Sequence, residues 1–183
     1  MIDSPPPPDA PSAAPQPQAD STSEPLTTPE SARLPIVGIG ASAGGLEALE
    51  ALVGRLSSDG MAYVVQQHLA AGQESLLTDI LARATSLVVI TISDQLAAQA
   101  NVIYVVPPGA EVTIHQGLFQ VSQATERIPR QSINRLFSSL ASELGAAAIG
   151  VVLSGAGSDG TLGLRAIKEG GGITFAQDPS TAI

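Results

Sequence analysis

Largely apolar, β-branched runs alternate along this chain with stretches whose apolar positions recur every three or four residues. The largely apolar runs, residues 34–39, 61–67, 87–92, 101–106, 146–153 and 172–176, predict strands. The first lacks the polar alternation of a half-exposed strand and fits a parallel strand buried on both faces. Between them, Leu46, Leu49, Leu52, Val53 and Leu56 fall on one face of a helix over residues 45–56. Leu76, Leu77, Ile80 and Leu81 do the same within 73–84, and Ile133, Leu136, Phe137, Leu140 and Leu144 within 131–144. A further helix is predicted over 161–169, and residues 94–100 read as a short helix or loop. Residues 111–121 predict a hairpin turning near Gln116-Gly117.

Strands alternating with helices imply an α/β fold. The expected form is a doubly wound, mostly parallel sheet with helices on both faces and a β-hairpin insertion. In such sheets ligands sit beyond the C-terminal ends of the strands. The residues just past each strand are therefore the first candidates for chemistry.

The first strand runs into Gly38-Ile39-Gly40-Ala41-Ser42-Ala43-Gly44-Gly45 and then a helix. Gly40-x-Ser42-x-Gly44 matches a nucleophile elbow, a sharp strand-to-helix turn that lifts a serine hydroxyl toward a helix N-terminus. The glycines are expected to relieve a positive φ or a close contact at the turn. Two other readings stay open here. Gly38-x-Gly40 also opens a dinucleotide-binding loop, and Ser42 could simply cap the following helix.

Three residues lie just beyond the C-terminal ends of different predicted strands: Ser42, His68 and Asp159. They are the residue types of an acyl-transfer triad, with Ser42 as nucleophile, His68 as general base and Asp159 orienting the imidazole. Each has a plainer role available: His68 as a hydrogen-bonded histidine, Asp159 as a helix N-cap. His115, at the hairpin, reads as structural or solvated. The dinucleotide alternative weakens because a Rossmann site wants an acid at the end of the second strand. That strand ends Gln66-Gln67-His68, and Asp59 precedes it. The order Ser, His, Asp also departs from the Ser, Asp, His order of α/β-hydrolases.

Composition narrows the class. The 183 residues suit one domain and a tail, with 44 % apolar residues but only 3 % aromatic, so Ala, Val, Leu and Ile must fill the core. A net charge of −9 argues against nonspecific nucleic-acid binding. The absence of cysteine removes disulfides and thiolate metal sites. No secretory signal pattern is present, and no apolar stretch approaches the roughly 20 residues of a membrane span; a cytoplasmic location is expected. Residues 1–33 carry Pro5 to Pro8 and five further prolines among Ala, Ser, Thr, Gln and acids. They predict a disordered arm, with the folded domain over 34–183.

The motifs together resemble the chemotaxis protein-glutamate methylesterases, the CheB-like catalytic domain. They are the Ser42 stretch, Val64-Val65-Gln66-Gln67-His68, Val105-Val106-Pro107-Pro108-Gly109, the run from Ile149 to Gly160, Gly170-Gly171-Gly172 and Ala176-Gln177-Asp178-Pro179. The resemblance implies hydrolysis of glutamate methyl esters on chemotaxis receptors, and in some members deamidation of receptor glutamines, without a cofactor or metal. It places the nucleophile, base and acid on Ser42, His68 and Asp159. It suggests oxyanion donors at Ala43 and Ala156 and puts Arg130 near the mouth of the site.

The sequence departs from the family pattern at Ala43 (often Thr), Ala156 (often Met), Gln131 (usually Pro) and Asn134 (usually Asp). Its Ser-Gly-x-Gly-Ser-Asp-Gly wording resembles the branch fused to receptor methyltransferases, so such a domain is an expected partner. A receiver domain of the usual kind is not expected ahead of it. The chain stops soon after the Ala-Gln-Asp-Pro stretch, which implies a missing C-terminal segment and lowered stability. The rival expectation is a non-catalytic regulatory module that keeps the fold.

Overall fold

The computed structural model describes Met1 and residues 33–42, 44–67, 76–123, 131–153 and 158–182. The expected arm, apart from its two end residues, lies outside them. The chain divides into two units, Met1–Ser31 and Ala32–Ile183, and every element below belongs to the second.

Among the described residues the elements run β1 (Ile36–Ala41), α1 (Leu46–Val53), β2 (Ala62–Gln67), α2 (Leu77–Ala84), β3 (Val88–Thr91) and β4 (Val102–Val105). The hairpin β5 (Ala110–His115) and β6 (Leu118–Gln123) comes next, then α3 (Ser132–Leu144), β7 (Ala148–Val152), α4 (Thr161–Glu169) and β8 (Ile173–Ala176). Six strands form one sheet in the order β3-β4-β2-β1-β7-β8, and each pairing in it is parallel. The α/β sheet expected from the alternation is what forms. Residues 94–100 make no helix; Ala97 bridges instead to Leu118 of the hairpin.

β1 and β2 are buried on both faces along their whole length, which is why β1 and the Ala62–Val65 part of β2 are apolar without alternation; β2 ends in two buried glutamines. Odd and even positions of these strands feed two separate cores. Val37, Ile39, Tyr63 and Val65 pack with Leu49 and Val53 of α1 and with Leu77 and Leu81 of α2. Ile36 and Val64 pack on the other face with Ile133, Leu136, Phe137 and Leu140 of α3, Ile167 of α4, and Val112, Ile114 and Phe119 of the hairpin. Fully burying each such side chain stabilises the fold by about 1.5–3 kcal/mol. The hairpin thus serves as a cover for the α3 face. Its turn, Gln116-Gly117, has φ of 50° and 75°, the paired positive values of a tight turn matched to strand twist. Ser139 of α3 ties it down, accepting the Ile114 N–H at 3.1 Å.

No helix among the described residues is long and apolar enough to cross a membrane.

Candidate active site

The site is set by where three adjacent strands end. Gly40 of β1 pairs with Val152 of β7 on one side, and Ala41 pairs with Gln67 of β2 on the other. Beyond these ends the chain departs to opposite faces: α1 packs on one core, α4 on the other. That divergence makes the boundary between β1 and β7 the switch point at which doubly wound sheets bind ligands. Ser42 is the first residue past β1 and is half-buried. Asp159 stands beyond the end of β7, shortly before α4. His68, the residue after β2, lies outside the described residues, as do Ala43, Arg130 and Ala156. The structure therefore brings two of the three expected triad residues to one sheet edge.

Ser42 is not a cap. Its carbonyl accepts the Gly45 N–H at 2.9 Å to close the turn. The N-cap of α1 is Gly45, which offers no side chain. Among the described residues no hydrogen bond engages the Ser42 hydroxyl.

The glycines around it have a different purpose from that expected. Gly38 and Gly40 lie within β1, so they form no dinucleotide loop. A Cβ on Gly38 would come within 2.7 Å of Leu140, and one on Gly40 within 2.5 Å of Ile133. Their bareness lets α3 lie close against β1. Gly44 has open space where a Cβ would stand and no positive φ. The turn itself makes no steric demand for glycine there.

Asp159 is a cap, but not of its own helix. Its Oδ2 accepts the Ile133 N–H at 3.1 Å and its Oδ1 the Asn134 N–H at 2.9 Å. These are the second and third residues of α3, the N–H groups an N-cap side chain ordinarily satisfies. Gln131, the residue in the N-cap position of α3, makes no such bond. Asn134 returns the arrangement: its Oδ1 accepts the N–H of Gly160 at 3.0 Å and of Gly163 at 2.9 Å, capping α4. Gly160 has φ of 98° and no side chain to serve α4 itself. A Cβ on Gly163 would meet Phe137 at 2.5 Å and the Asn134 backbone at 3.1 Å, so only glycine admits this approach. The role of Asn134 was not legible in the chain. The available signal was a helix over 161–169 whose N-cap, Gly160, has no capping side chain.

Neither His115 nor Asp59 belongs to this edge. His115 is 62 % exposed, with Nδ1 3.6 Å from Glu143 near the C-terminal end of α3. Asp159 binds the other end of that helix, and its thirteen residues span about 20 Å. A cavity of about 440 Å³, lined in part by Arg33, Ile36, Gly117 and Glu143, opens at the His115 end. Asp59 precedes β2 and accepts the Tyr63 hydroxyl at 2.7 Å. Burial first, then that bond and the carboxylate charge, push the Tyr63 pKa well above its ordinary value.

Gln66, at the C-terminal end of β2 beside Gly40, is 3 % exposed, and its Oε1 has no hydrogen-bond partner. An unmet buried acceptor of this kind costs about 1–3 kcal/mol. No group of three or more His, Asp or Glu side chains that could hold a metal occurs among the described residues.

Comparison with known proteins shows the family and the fold. The sequence matches the CheB methylesterase family over residues 37–183. It is 37 % identical over 153 residues to a protein-glutamate methylesterase/protein-glutamine glutaminase of Anaeromyxobacter dehalogenans, covering 82 % of this chain and 45 % of that protein. It is 35 % identical over 106 residues to an uncharacterised 104.1 kDa protein of Rhodobacter capsulatus, covering 58 % of this chain and 11 % of that one. The chain thus spans less than half the length of either relative. The crystal structure of the Thermotoga maritima CheB methylesterase catalytic domain superposes with a TM-score of 0.73 at 25 % identity, covering 82 % of each chain.

Proposed function

The chain belongs to the CheB methylesterase family, and on that premise we propose that it hydrolyses methyl esters of glutamate side chains on chemotaxis receptors in the cytoplasm. Glutamine side chains of the same receptors are a second substrate, in line with the double name of its relative. One observation carries the reading: Ser42 and Asp159 lie past the ends of neighbouring parallel strands β1 and β7, on the two sides of the sheet's switch point.

The chemistry is that of the residue types. Ser42 Oγ attacks the γ-carbonyl carbon while His68 takes its proton. Asp159 orients the imidazole and stabilises its charged form. The oxyanion is met by backbone N–H groups at Ala43 and Ala156, and Arg130 contributes to substrate binding at the mouth. The C–O bond to methoxide breaks as His68 returns the proton, releasing methanol. Water, deprotonated by His68, then attacks the acyl-enzyme, freeing glutamate and restoring Ser42. With glutamine the leaving group is ammonia.

The test is methanol release from methylated receptor membranes by the wild type and Ser42→Ala. Release falls by about 10³-fold or more in the variant, with its thermal midpoint retained. Equal release with and without the hydroxyl would end the assignment.

A further inference from the structure

Asp159 cannot be placed by its own helix. The residue after it, Gly160, has φ of 98° and no side chain, so the local backbone is free to take other conformations. Among the described residues, two sets of bonds restrict that freedom. The carboxylate is held by the N–H groups of Ile133 and Asn134, one on each oxygen. The peptide on its C-terminal side is held by Asn134, whose Oδ1 takes the Gly160 N–H at 3.0 Å and the Gly163 N–H at 2.9 Å. Asn134 is 7 % exposed, so water does not readily substitute for that oxygen.

We propose that Asn134 is a positioning residue for catalysis: by tying Gly160 to α3 it fixes the direction in which the Asp159 carboxylate points. This rests on Asp159 being the triad acid. Asn134 touches no reacting atom. Its amide oxygen acts on the backbone that carries the acid, while its own N–H holds the acid's Oδ1. Loss of that oxygen leaves two buried N–H groups at the start of α4 without an acceptor. The first turn of α4 then shifts to reach water, and Asp159 shifts with it. A misplaced orienting group costs rate more than binding, because it acts on the proton transfer and not on the bound ester.

The experiment uses the full chain and a peptide bearing a glutamate γ-methyl ester, with kcat and KM from methanol release. Wild type, Asn134→Ala, Asn134→Asp and Asp159→Ala are compared well below their thermal midpoints. Asn134→Ala lowers kcat at least tenfold with KM within about threefold. Asn134→Asp, which keeps an acceptor at the same atom, recovers most of the loss. A purely structural role predicts a lowered midpoint with kcat per folded molecule unchanged, and that result overturns the proposal. If Asp159→Ala itself retains kcat, the triad assignment fails and the positioning role falls with it. If Asp159→Ala is inactive while Asn134→Ala keeps the wild-type kcat, the assignment stands and only the positioning role is lost. No turnover by the wild type removes both.

Discussion

Asp159 and Asn134 cap each other's helices: the carboxylate before α4 holds the first turn of α3, and the amide in α3 holds the first turn of α4. Neither helix has a side-chain cap of its own. Both N-termini, with the positive ends of their dipoles, are thereby brought to one sheet edge. The arrangement joins a stability element to the candidate site, so damage to one is read in the other.

The closest point of that crossing gives a first prediction. Alanine is the better helix former by about 1 kcal/mol, and on propensity alone Gly163→Ala would stabilise α4. The added Cβ would stand 2.5 Å from that of Phe137 and 3.1 Å from the Asn134 backbone, neither of them a flexible side-chain end. Overpacking of this kind costs about 1–3 kcal/mol and outweighs the propensity gain. The urea midpoint of Gly163→Ala therefore falls; a rise would show that the two helices are free to move apart.

The two histidines are expected to separate cleanly. His115 stands at the far end of α3 from Asp159, about 20 Å away along the helix. His115→Gln leaves kcat/KM for ester hydrolysis within about twofold, whereas His68→Gln lowers it by the orders of magnitude typical of a triad base. A matched loss in both variants would contradict the placement of the site at the β1–β7 edge.

Stability should decline on the alkaline side. The Tyr63 hydroxyl donates to Asp59, and its pKa in the fold is raised above the ordinary 10.0. Between the unfolded and folded values the unfolded chain has lost the proton and the native one retains it. The native state then binds more protons, so stability is full below about pH 10 and falls as pH rises above it. Tyr104, also raised by burial, contributes in the same direction. Tyr63→Phe loses a hydrogen bond worth about 1 kcal/mol at neutral pH but flattens the fall above pH 10. Urea titrations from pH 8 to 11 measure both; an unchanged alkaline slope would mean that Tyr63 does not titrate in this way.

The order of elements was determined by the sequence alone, because burial on two faces, burial on one stripe and exposure leave different periodicities in a linear chain. The strand ends came with it to within two residues, β1 running on to Ala41 where the pattern ends at Ile39, and so did the placement of Ser42 and Asp159 at the same edge, since parallel strands separated by crossovers all finish on one side. What tertiary structure decided was the purpose of particular residues. Gly38 and Gly40 suggested a loop; they are strand positions left bare for Leu140, Phe137 and Ile133, and no local pattern records which helix will lie above a strand. Asp159 suggested a cap for the helix just after it; it caps instead two N–H groups 25 and 26 residues upstream. A hydrogen bond between segments far apart in the chain has no period and no spacing, so it becomes visible only once packing has set the two helices side by side.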